Sequence, residues 1–357
     1  MKPFTVEPES VYVVGIGAQT PVGRKALIAA AAVRCGISAY AEHPFMIDRL
    51  SEPMVVAMAD WLDETISVKE RIIRMGADAA VDAIAPLMRK PLQRALHVVF
   101  ALSSRNLPTE SDRILVAERI AKELIQQGLR VEPHIVAEEN ACGAEAIRLA
   151  CSHVQEQGAG YCLVIGSDSH LGPEHLEAID YADRLHSVNN TWGFTPGEAA
   201  GAILISSGSK VKDVVDAPLA RIAAASTGTE GKLLGTRTGC MGEGLTKAFR
   251  GALSADQKVV HSYCDLNGET YRANEFGFAV CRTAKCFHDA ASFTAAAQCW
   301  GDIGAASVPL QVILAASAWS RGYATGDTAL CWASSATTPL RGAVRLHNNW
   351  LQPGLRT

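Results

Sequence analysis

Both halves of this chain end with the same order of segments: an apolar helix, a strand, a turn and a second strand. In the first half these segments are residues 146–155, 161–165 and 201–205. In the second half they are residues 303–319, 328–332 and 343–346. Helices that alternate with strands are typical of βαβ units around mainly parallel sheets. The repeated order therefore predicts a duplicated α/β fold, which we divide into residues 1–210 and residues 211–357.

The longest uncharged stretch of the chain lies between Asp302 and Arg321. Its length approaches that of a membrane span, but Ser, Gln, Gly and Pro residues interrupt its apolar run. A helix that is apolar on every side is typical of burial between other elements. The stretch therefore predicts a core helix, and we expect no membrane span.

The composition argues against several kinds of partner and location. The net charge is −4, the pI is about 6.2 and no run of Lys and Arg occurs, so neither nucleic acid nor an anionic membrane is expected as a partner. Ten cysteines lie at irregular spacings and the N-terminus has no apolar signal segment, which favours a cytoplasmic protein with reduced thiols. Cys281, Cys286 and His288 have poor spacing for zinc and no second matching pair, so we predict neither a metal nor a cofactor.

Five segments resemble motifs of the β-ketoacyl synthases of the thiolase superfamily. They are residues 14–23 (VGIGAQTPVG), 140–169, 192–202 (WGFTPGEAAGA), 265–270 (DLNGET) and 300–307 (WGDIGAAS). The third segment is the most specific, because it follows the family's Gly-Phe-x-Pro-Gly-Glu-Gly-Ala-Gly run. The resemblance implies a five-layer α-β-α-β-α thiolase-like fold. It also implies a homodimer joined through the first half, and acyl-CoA or an acyl carrier protein as a partner.

The same resemblance implies that the condensing site is altered. In the family, a cysteine at a helix N-terminus is acylated, and two histidines stabilise the enolate that decarboxylation produces. An ungapped alignment places Asn140 at the cysteine position, Asn267 at the first histidine position and Gly301 at the second. The family's Gly-Phe-Gly-Gly loop, which helps to form the oxyanion hole, is replaced by residues 333–339 (ASSATTP).

Cys142 is the alternative nucleophile. Two residues along a helix rotate a side chain by about 200°, so Cys142 takes the place of Asn140 only if the helix begins two residues later. The ungapped alignment is favoured because it keeps residues 148–150 and Gly166 in register. A lone cysteine is more often a small buried hydrophobic residue than a nucleophile.

The other candidate residues each have a structural interpretation as well. Asn267 and Gly268 form a favoured turn pair, although the amide of Asn267 could still donate to an oxyanion. Asp302 is favoured as the N-cap of a helix that begins near residue 303 over a role as a catalytic acid. Asp168 and His170 follow the end of a strand and are interpreted as structural.

These observations lead to three hypotheses. In the first, the chain is a thiolase-fold protein that no longer condenses and acts as an accessory or adaptor protein. Thiolase-like proteins of this sort are associated with bacterial secretion-system gene clusters, including type VI, which is an analogy for this chain. In the second, it is an active acyltransferase or thioesterase that uses Cys142, with Asn140 and Asn267 in the oxyanion site. In the third, it binds acyl carrier protein or acyl-CoA without turnover.

Overall fold

A computed structural model of the chain describes residues 6–89, 95–155 and 159–348. Strands from the first half are β1 (Val11–Gln19), β2 (Tyr40–Ile47), β3 (Pro53–Ala57), β4 (Leu96–Ser103), β5 (Val131–Glu138), β6 (Tyr161–Ser169) and β7 (Glu198–Ser207). Strands from the second half are β8 (Ala220–Thr229), β9 (His261–Cys264), β10 (Phe293–Ala295), β11 (Thr328–Ser334) and β12 (Leu340–His347).

The α-helices are spread through both halves. Those of the first half are α1 (Ala26–Arg34), α2 (Val68–Ala83), α3 (Glu110–Gln126), α4 (Cys142–Gln155) and α5 (Pro173–Tyr181). Those that follow are α6 (Val211–Val214), α7 (Glu243–Ala252), α8 (Thr270–Thr283), α9 (Ala297–Trp300) and α10 (Ser307–Ser320). A 3-10 turn, Gly304–Ala306, directly precedes α10.

Ten of the strands form one sheet, and its order shows the duplication. The order is β10-β9-β11-β12-β8-β1-β7-β6-β4-β5. When the five sheet strands of each half are counted from the N-terminus, both halves read 3-2-4-5-1 from the outer edge to the centre. In each half the last strand runs antiparallel to its two neighbours while the outer three are parallel. The antiparallel pairing of β1 with β8 joins the halves.

The helices form three layers around the two halves of the sheet. Helices α2 and α3 cover the outer face of the first half, and α7 and α8 cover the outer face of the second half. Helices α4 and α10 lie in the middle and contact strands from both halves. This is the predicted five-layer α-β-α-β-α arrangement. The division at residues 210 and 211 stays a prediction.

The predicted core helix is confirmed, although it begins later than expected. All residues of α10 from Ser307 to Ala318 are buried, because sheet strands and α4 surround it. The helix begins at Ser307 rather than near residue 303, because the 3-10 turn takes up the intervening residues. Within the described residues, no helix combines the length and the apolar character that a membrane span needs.

Other element boundaries also differ from the pattern of the sequence. The periodicity predicts a helix over residues 68–88, but α2 ends at Ala83 and a 3-10 turn follows at Ala85–Arg89. Pro86 supplies no N–H for a continued α-helix, which accounts for the early end. The β2–β3 hairpin was not predicted, because β2 is largely exposed and lacks an apolar alternation.

Candidate active site

Three of the predicted site residues come together from three separate loops. Asn140 lies between β5 and α4, Asn267 lies between β9 and α8, and Asp302 follows α9. Strand β5, which precedes Asn140, and strand β10, which precedes α9 and Asp302, are the corresponding outer strands of the two halves of the sheet. The duplicated topology therefore brings the amide of the first half to the two polar residues of the second half.

Asp302 is the centre of this cluster. Its Oδ1 accepts hydrogen bonds from Asn140 Nδ2 at 2.9 Å and from the Gly304 backbone N–H at 3.0 Å. Its Oδ2 accepts a hydrogen bond from Asn267 Nδ2 at 2.7 Å. Asn140 and Asp302 are buried, at 4% and 6% exposure. The bond to Gly304 caps the 3-10 turn, so Asp302 links the start of this turn to both asparagines.

The side chains of Arg272 and His170 flank the same carboxylate. Arg272 Nη2 lies 3.5 Å from Asp302 Oδ2, and His170 Nε2 lies 3.5 Å from Asp302 Oδ1. Burial alone would raise the pKa of Asp302, but the interaction with His170 and the charge of Arg272 outweigh it and hold the pKa well below its usual range. Asp302 is therefore an anion that the protein itself neutralises.

Arg272 is held by further contacts. The side chain is fully buried, and Nη1 donates to Asp265 Oδ2 and to the Ser334 carbonyl. Glu269 stands on the other side of Asn267, whose Nδ2 lies 3.0 Å from Glu269 Oε2. These bonds leave Asn267 oriented by two carboxylates at once.

Glu269 in turn forms an ion pair with Arg184, with 2.7 Å between Arg184 Nε and Glu269 Oε1. Neither side chain is more than 15% exposed. The Glu269 carboxylate is therefore paired with the Arg184 guanidinium and is not a free carboxylate that could act as a general base.

Asp168 and His170 belong to the same neighbourhood. Asn106 Nδ2 donates to Asp168 Oδ1 at 2.7 Å, and the Ala305 N–H donates to Asp168 Oδ2 at 3.0 Å. A Cβ at residue 304 would lie 1.9 Å from Asp168 Oδ2, and the φ of Gly304 is +51°, so only glycine fits there. Burial opposes the charge of His170, but Asp302 and Asp168 raise its pKa above the ordinary value.

A second carboxylate, that of Glu139, binds the loop at residues 333–339 next to the site. Glu139 Oε2 accepts the backbone N–H groups of Ala336 and Thr337 at 2.7 and 2.9 Å. Arg105 Nη2 lies 2.7 Å from Glu139 Oε1. Burial would raise the pKa of Glu139, but the charge of Arg105 and the hydrogen bonds from the loop lower it overall. The buried carboxylate therefore accepts hydrogen bonds from two backbone amides of this loop, which the sequence resemblance places where ketosynthases have a Gly-Phe-Gly-Gly run.

Cys142 does not join the other three predicted residues. Its Sγ lies 3.0 Å from the Val136 carbonyl oxygen and 3.8 Å from that of Leu102, between β5 and β4. The residue has no exposed surface, and burial raises the pKa of its thiol well above the ordinary value. Burial therefore disfavours the thiolate, which is the reactive form of a cysteine.

The motif at residues 192–202 packs directly against the Asp302 segment. The Gly197 N–H donates to the Asp302 carbonyl, and the Asp302 N–H donates to the Thr195 carbonyl, each at 2.8 Å. A Cβ at residue 197 would lie 2.1 Å from the Trp300 carbonyl oxygen, so this position requires glycine. The most specific motif of the sequence thus has a structural role, because it fixes the backbone that carries Asp302.

Little space is left among these side chains. The cavity between Asn140, His170, Arg272 and Asp302 measures about 10 Å³. A volume of this size holds about one water molecule. The cluster is therefore close to filled by its own side chains.

The sequence indicated Asn140, Asn267 and Asp302 but missed Arg272 and Glu139. Arg272 lies in the helix that follows the Asn267 motif, and its place near the start of that helix was the one available signal. Glu139 adjoins Asn140, yet its partners Ala336 and Thr337 are almost 200 residues away in the chain.

Comparisons with known proteins agree with this architecture. No protein-family model matches the chain, and no curated protein is detectably similar to it in sequence. Among solved structures, the chain matches one chain of a complex with a TM-score of 0.74 and 14% identity. That complex is described as a type II polyketide synthase acyl-carrier protein in complex with its ketosynthase bound to the hexaketide. That match covers 96% of this chain and 100% of the other.

Two further structures give the same result. The ishigamide ketosynthase/chain length factor matches with a TM-score of 0.68 and 16% identity, over 95% of this chain and 99% of the other. The ketosynthase from module 6 of the bacillaene synthase from Bacillus subtilis 168 matches with a TM-score of 0.73 and 13% identity, over 95% of this chain and 72% of the other. The chain therefore has the thiolase-like fold of ketosynthases and chain length factors.

Proposed function

We propose that this protein is a ketosynthase-fold accessory or adaptor protein that does not condense acyl groups and acts through binding. The observation that carries the proposal is the contact between Asn140 and Asp302, with 2.9 Å between Nδ2 and Oδ1. At the position where the resemblance places the acylated cysteine, the chain has an amide that is bonded to a buried carboxylate. An amide neither forms a thioester nor acts as a thiolate.

The surroundings of Asn140 support the same conclusion. A decarboxylating condensation develops negative charge on an enolate, which needs donors that are free to accept it. Here Asn267 and Arg272 both donate to carboxylates, and Asp302 adds a negative charge at the centre of the site. A substrate anion would therefore compete with an internal anion that is already paired.

Glu139 supports the proposal independently. The amides of Ala336 and Thr337 donate to its carboxylate. In an active ketosynthase, backbone amides of the corresponding loop would donate hydrogen bonds to the acyl carbonyl oxygen in the transition state. The internal carboxylate would have to leave before these amides could perform that task.

The alternative of acyl transfer by Cys142 lacks comparable support. A nucleophilic thiol needs a neighbouring base or a helix end to lower its pKa, whereas burial raises the pKa of Cys142. Its sulfur also faces the carbonyl groups of Val136 and Leu102 rather than the small cavity at Asn140.

The binding partners that we propose follow from the similar structures. One similar ketosynthase is seen in complex with its acyl-carrier protein, and another similar structure is a ketosynthase/chain length factor. We infer that this protein associates with a second ketosynthase-fold chain, most simply a second copy of itself, and that an acyl carrier protein is a candidate partner.

Intact mass spectrometry after incubation with acyl-CoA and acyl carrier protein thioesters of several chain lengths tests the proposal. The background should carry Cys35→Ser and Cys281→Ser, because these two cysteines are exposed and could react without a site. We expect no covalent acyl adduct and no release of CoA, whereas an active ketosynthase in parallel becomes acylated. A stable adduct that Cys142→Ala abolishes would establish the acyltransferase alternative and refute the proposal.

A further inference from the structure

Three histidines meet at the outer part of the first half's sheet, away from the Asp302 cluster. His97 is the second residue of β4, His134 lies in β5, and His153 lies near the end of α4. His97 is six residues from Ser103, which lines the Asp302 cavity, so it lies about 20 Å along the strand from that end. The two sites therefore share no side chain.

The fold explains why the histidines converge. Strands β4 and β5 are parallel neighbours in which Val99 pairs with His134. His97 and Val99 are two residues apart and point to the same face, so His97 lies beside His134 on that face. Helix α4 packs against this face and adds His153.

The distances between the rings suit a shared ion. His97 Nδ1 lies 3.1 Å from His134 Nε2, and one nitrogen from each of the three rings lies within 4.8 Å of the others. In a tetrahedral zinc site with Zn–N distances of 2.0–2.1 Å, ligand nitrogens lie about 3.3–3.4 Å apart. The first pair is already close to this spacing, and the His153 nitrogen reaches it with a shift of at most about 1.5 Å.

A carboxylate next to the three histidines also fits a metal site. Glu132 Oε2 lies 3.7 Å from His97 Nε2, the ring nitrogen that does not face His134. A carboxylate beside the outer nitrogen of a ligating histidine is a common way to orient the ring.

We propose that His97, His134 and His153 form a binding site for a divalent transition-metal ion with the ligand preference of Zn²⁺. Three imidazoles favour Zn²⁺, Ni²⁺ or Cu²⁺ over Mg²⁺ and Ca²⁺, which prefer oxygen ligands. Glu132 is a positioning residue in this site. The spacing of these histidines in sequence gave no sign of the site, because each comes from a different element.

The test uses the full chain without an affinity tag, stripped with chelator and titrated separately with Zn²⁺ and Co²⁺. We expect one ion per chain by calorimetry and the visible absorption of tetrahedral Co²⁺ with nitrogen ligands. His134→Asn and His153→Gln should each weaken Zn²⁺ binding at least tenfold, and Glu132→Gln should weaken it about tenfold. His288→Gln changes an exposed histidine outside the cluster and should leave binding unchanged.

Two results would overturn the proposal. The first is the absence of binding at micromolar Zn²⁺ by the wild-type chain while its circular dichroism shows a folded protein. The second is a strong thiolate-to-cobalt charge-transfer band that Cys162→Ala removes, because buried Cys162 pairs with His97 across the sheet and would then hold the ion. Neither result depends on acyl chemistry, so the test is independent of the proposed function.

Discussion

Asp302 is the centre of a buried polar network that joins the two halves of the chain. Its two carboxylate oxygens bind groups from both halves of the chain: Asn140 from the first, and Asn267 and Arg272 from the second. A buried charge is stable only when it is paired and hydrogen-bonded. The side chains of Asn140, Asn267 and Arg272 all donate to the Asp302 carboxylate, which therefore links the two halves of the chain.

The first prediction concerns the stability that this link provides. Asp302→Asn replaces one oxygen by an NH₂ group, which then faces the donors of Asn267 and Arg272. We expect the free energy of unfolding to fall by about 3 kcal/mol, the lower end of the cost of breaking a buried pair, because Arg272 keeps Asp265 as a partner. Chemical denaturation monitored by circular dichroism measures the change.

Asp112→Asn is the matched control for that experiment. Asp112 pairs with Lys69 at the surface, where ion pairs contribute little. We expect no measurable change for this variant. Equal stability of the Asp302→Asn variant and the wild type would contradict the assigned network.

The second prediction is a pH dependence that arises at His175. Burial, followed by the charges of His170 and Arg105, lowers the pKa of His175 to about 2. The folded state therefore keeps this imidazole neutral while the unfolded chain binds a proton below its ordinary pKa near 6.5. The contribution to stability is present above pH 6.5 and is lost as the pH falls below it, by up to about 1.4 kcal/mol per pH unit.

The measurement compares the stability of the wild type and His175→Gln from pH 7.5 to pH 5.5. We expect a flatter profile for the variant below pH 6.5, and an unchanged slope for the exposed His288→Gln. His170 acts in the opposite direction, because its raised pKa gives a contribution that is lost as the pH rises. A variant profile as steep as that of the wild type would show that His175 is protonated in the folded state.

The sequence predicted part of this site through its motifs. The resemblance placed Asn140 at the cysteine position and Asn267 at the first histidine position, so both were expected in one site. Asp302 was favoured as a helix cap, and the structure adds its contacts to both asparagines. The neighbours of the Asp302 carboxylate depend on side-chain directions that tertiary packing sets. For this reason, His170 was interpreted as a strand-end residue and Arg272 was missed.

At the scale of elements, Glu139 ties the middle of the loop at residues 333–339 to the start of α4. Glu139 receives the N–H groups of Ala336 and Thr337 and the hydroxyl of Thr337. The Ala141 N–H donates to Ser335 Oγ at 3.3 Å, which adds a weaker bond between the start of α4 and the loop. The Ala336 and Thr337 amides are therefore the part of the loop that depends on Glu139.

The third prediction follows from that arrangement. Glu139→Gln removes the charge that binds Arg105 and leaves one side-chain oxygen in place of two. Because hydrogen bonds to charged groups contribute about 1.5–3 kcal/mol, we expect the amides of Ala336 and Thr337 to exchange hydrogen at least tenfold faster. Hydrogen–deuterium exchange with mass spectrometry measures this.

Glu138→Gln provides the control for the exchange experiment. Within the described residues, Glu138 Oε2 has no hydrogen-bond partner, so its loss should leave the loop unchanged. Exchange that is equally slow in the wild type and in Glu139→Gln would show that other contacts hold the loop.

Elements were predictable where periodicity alone specified them. The buried helix α10 and most sheet strands of both halves follow apolar runs that only a core can accept. The β2–β3 hairpin was not predictable in this way, because its strands pair mainly with each other and β2 buries little. The histidine cluster was equally hidden, since only the register of β4 and β5 brings His97 to His134.

At the scale of the whole molecule, the duplication leaves the sheet with one free edge in each half. The two halves share one sheet through β1 and β8, so the centre of the sheet has no exposed edge. Its outer strands, β5 and β10, each pair with a single neighbour within the described residues. Strand β10 has only three residues, whereas β5 has eight. A strand of that length with one unpaired edge readily pairs with another chain, so we expect a dimer to use the edge of β5.

The fourth prediction is therefore a homodimer that forms through the first half along β5. Ile135 lies in this strand and is 37% exposed, so Ile135→Lys places a charge where a second copy would pack. We expect multi-angle light scattering to give a dimer for the wild type and a shift of at least tenfold in the dissociation constant for the variant. Phe45→Lys is the matched control, because Phe45 is an exposed apolar residue on the β2–β3 hairpin rather than on the edge strand. A wild-type monomer would contradict the prediction, and a dimer that Phe45→Lys disrupts while Ile135→Lys preserves it would place the interface on the hairpin instead.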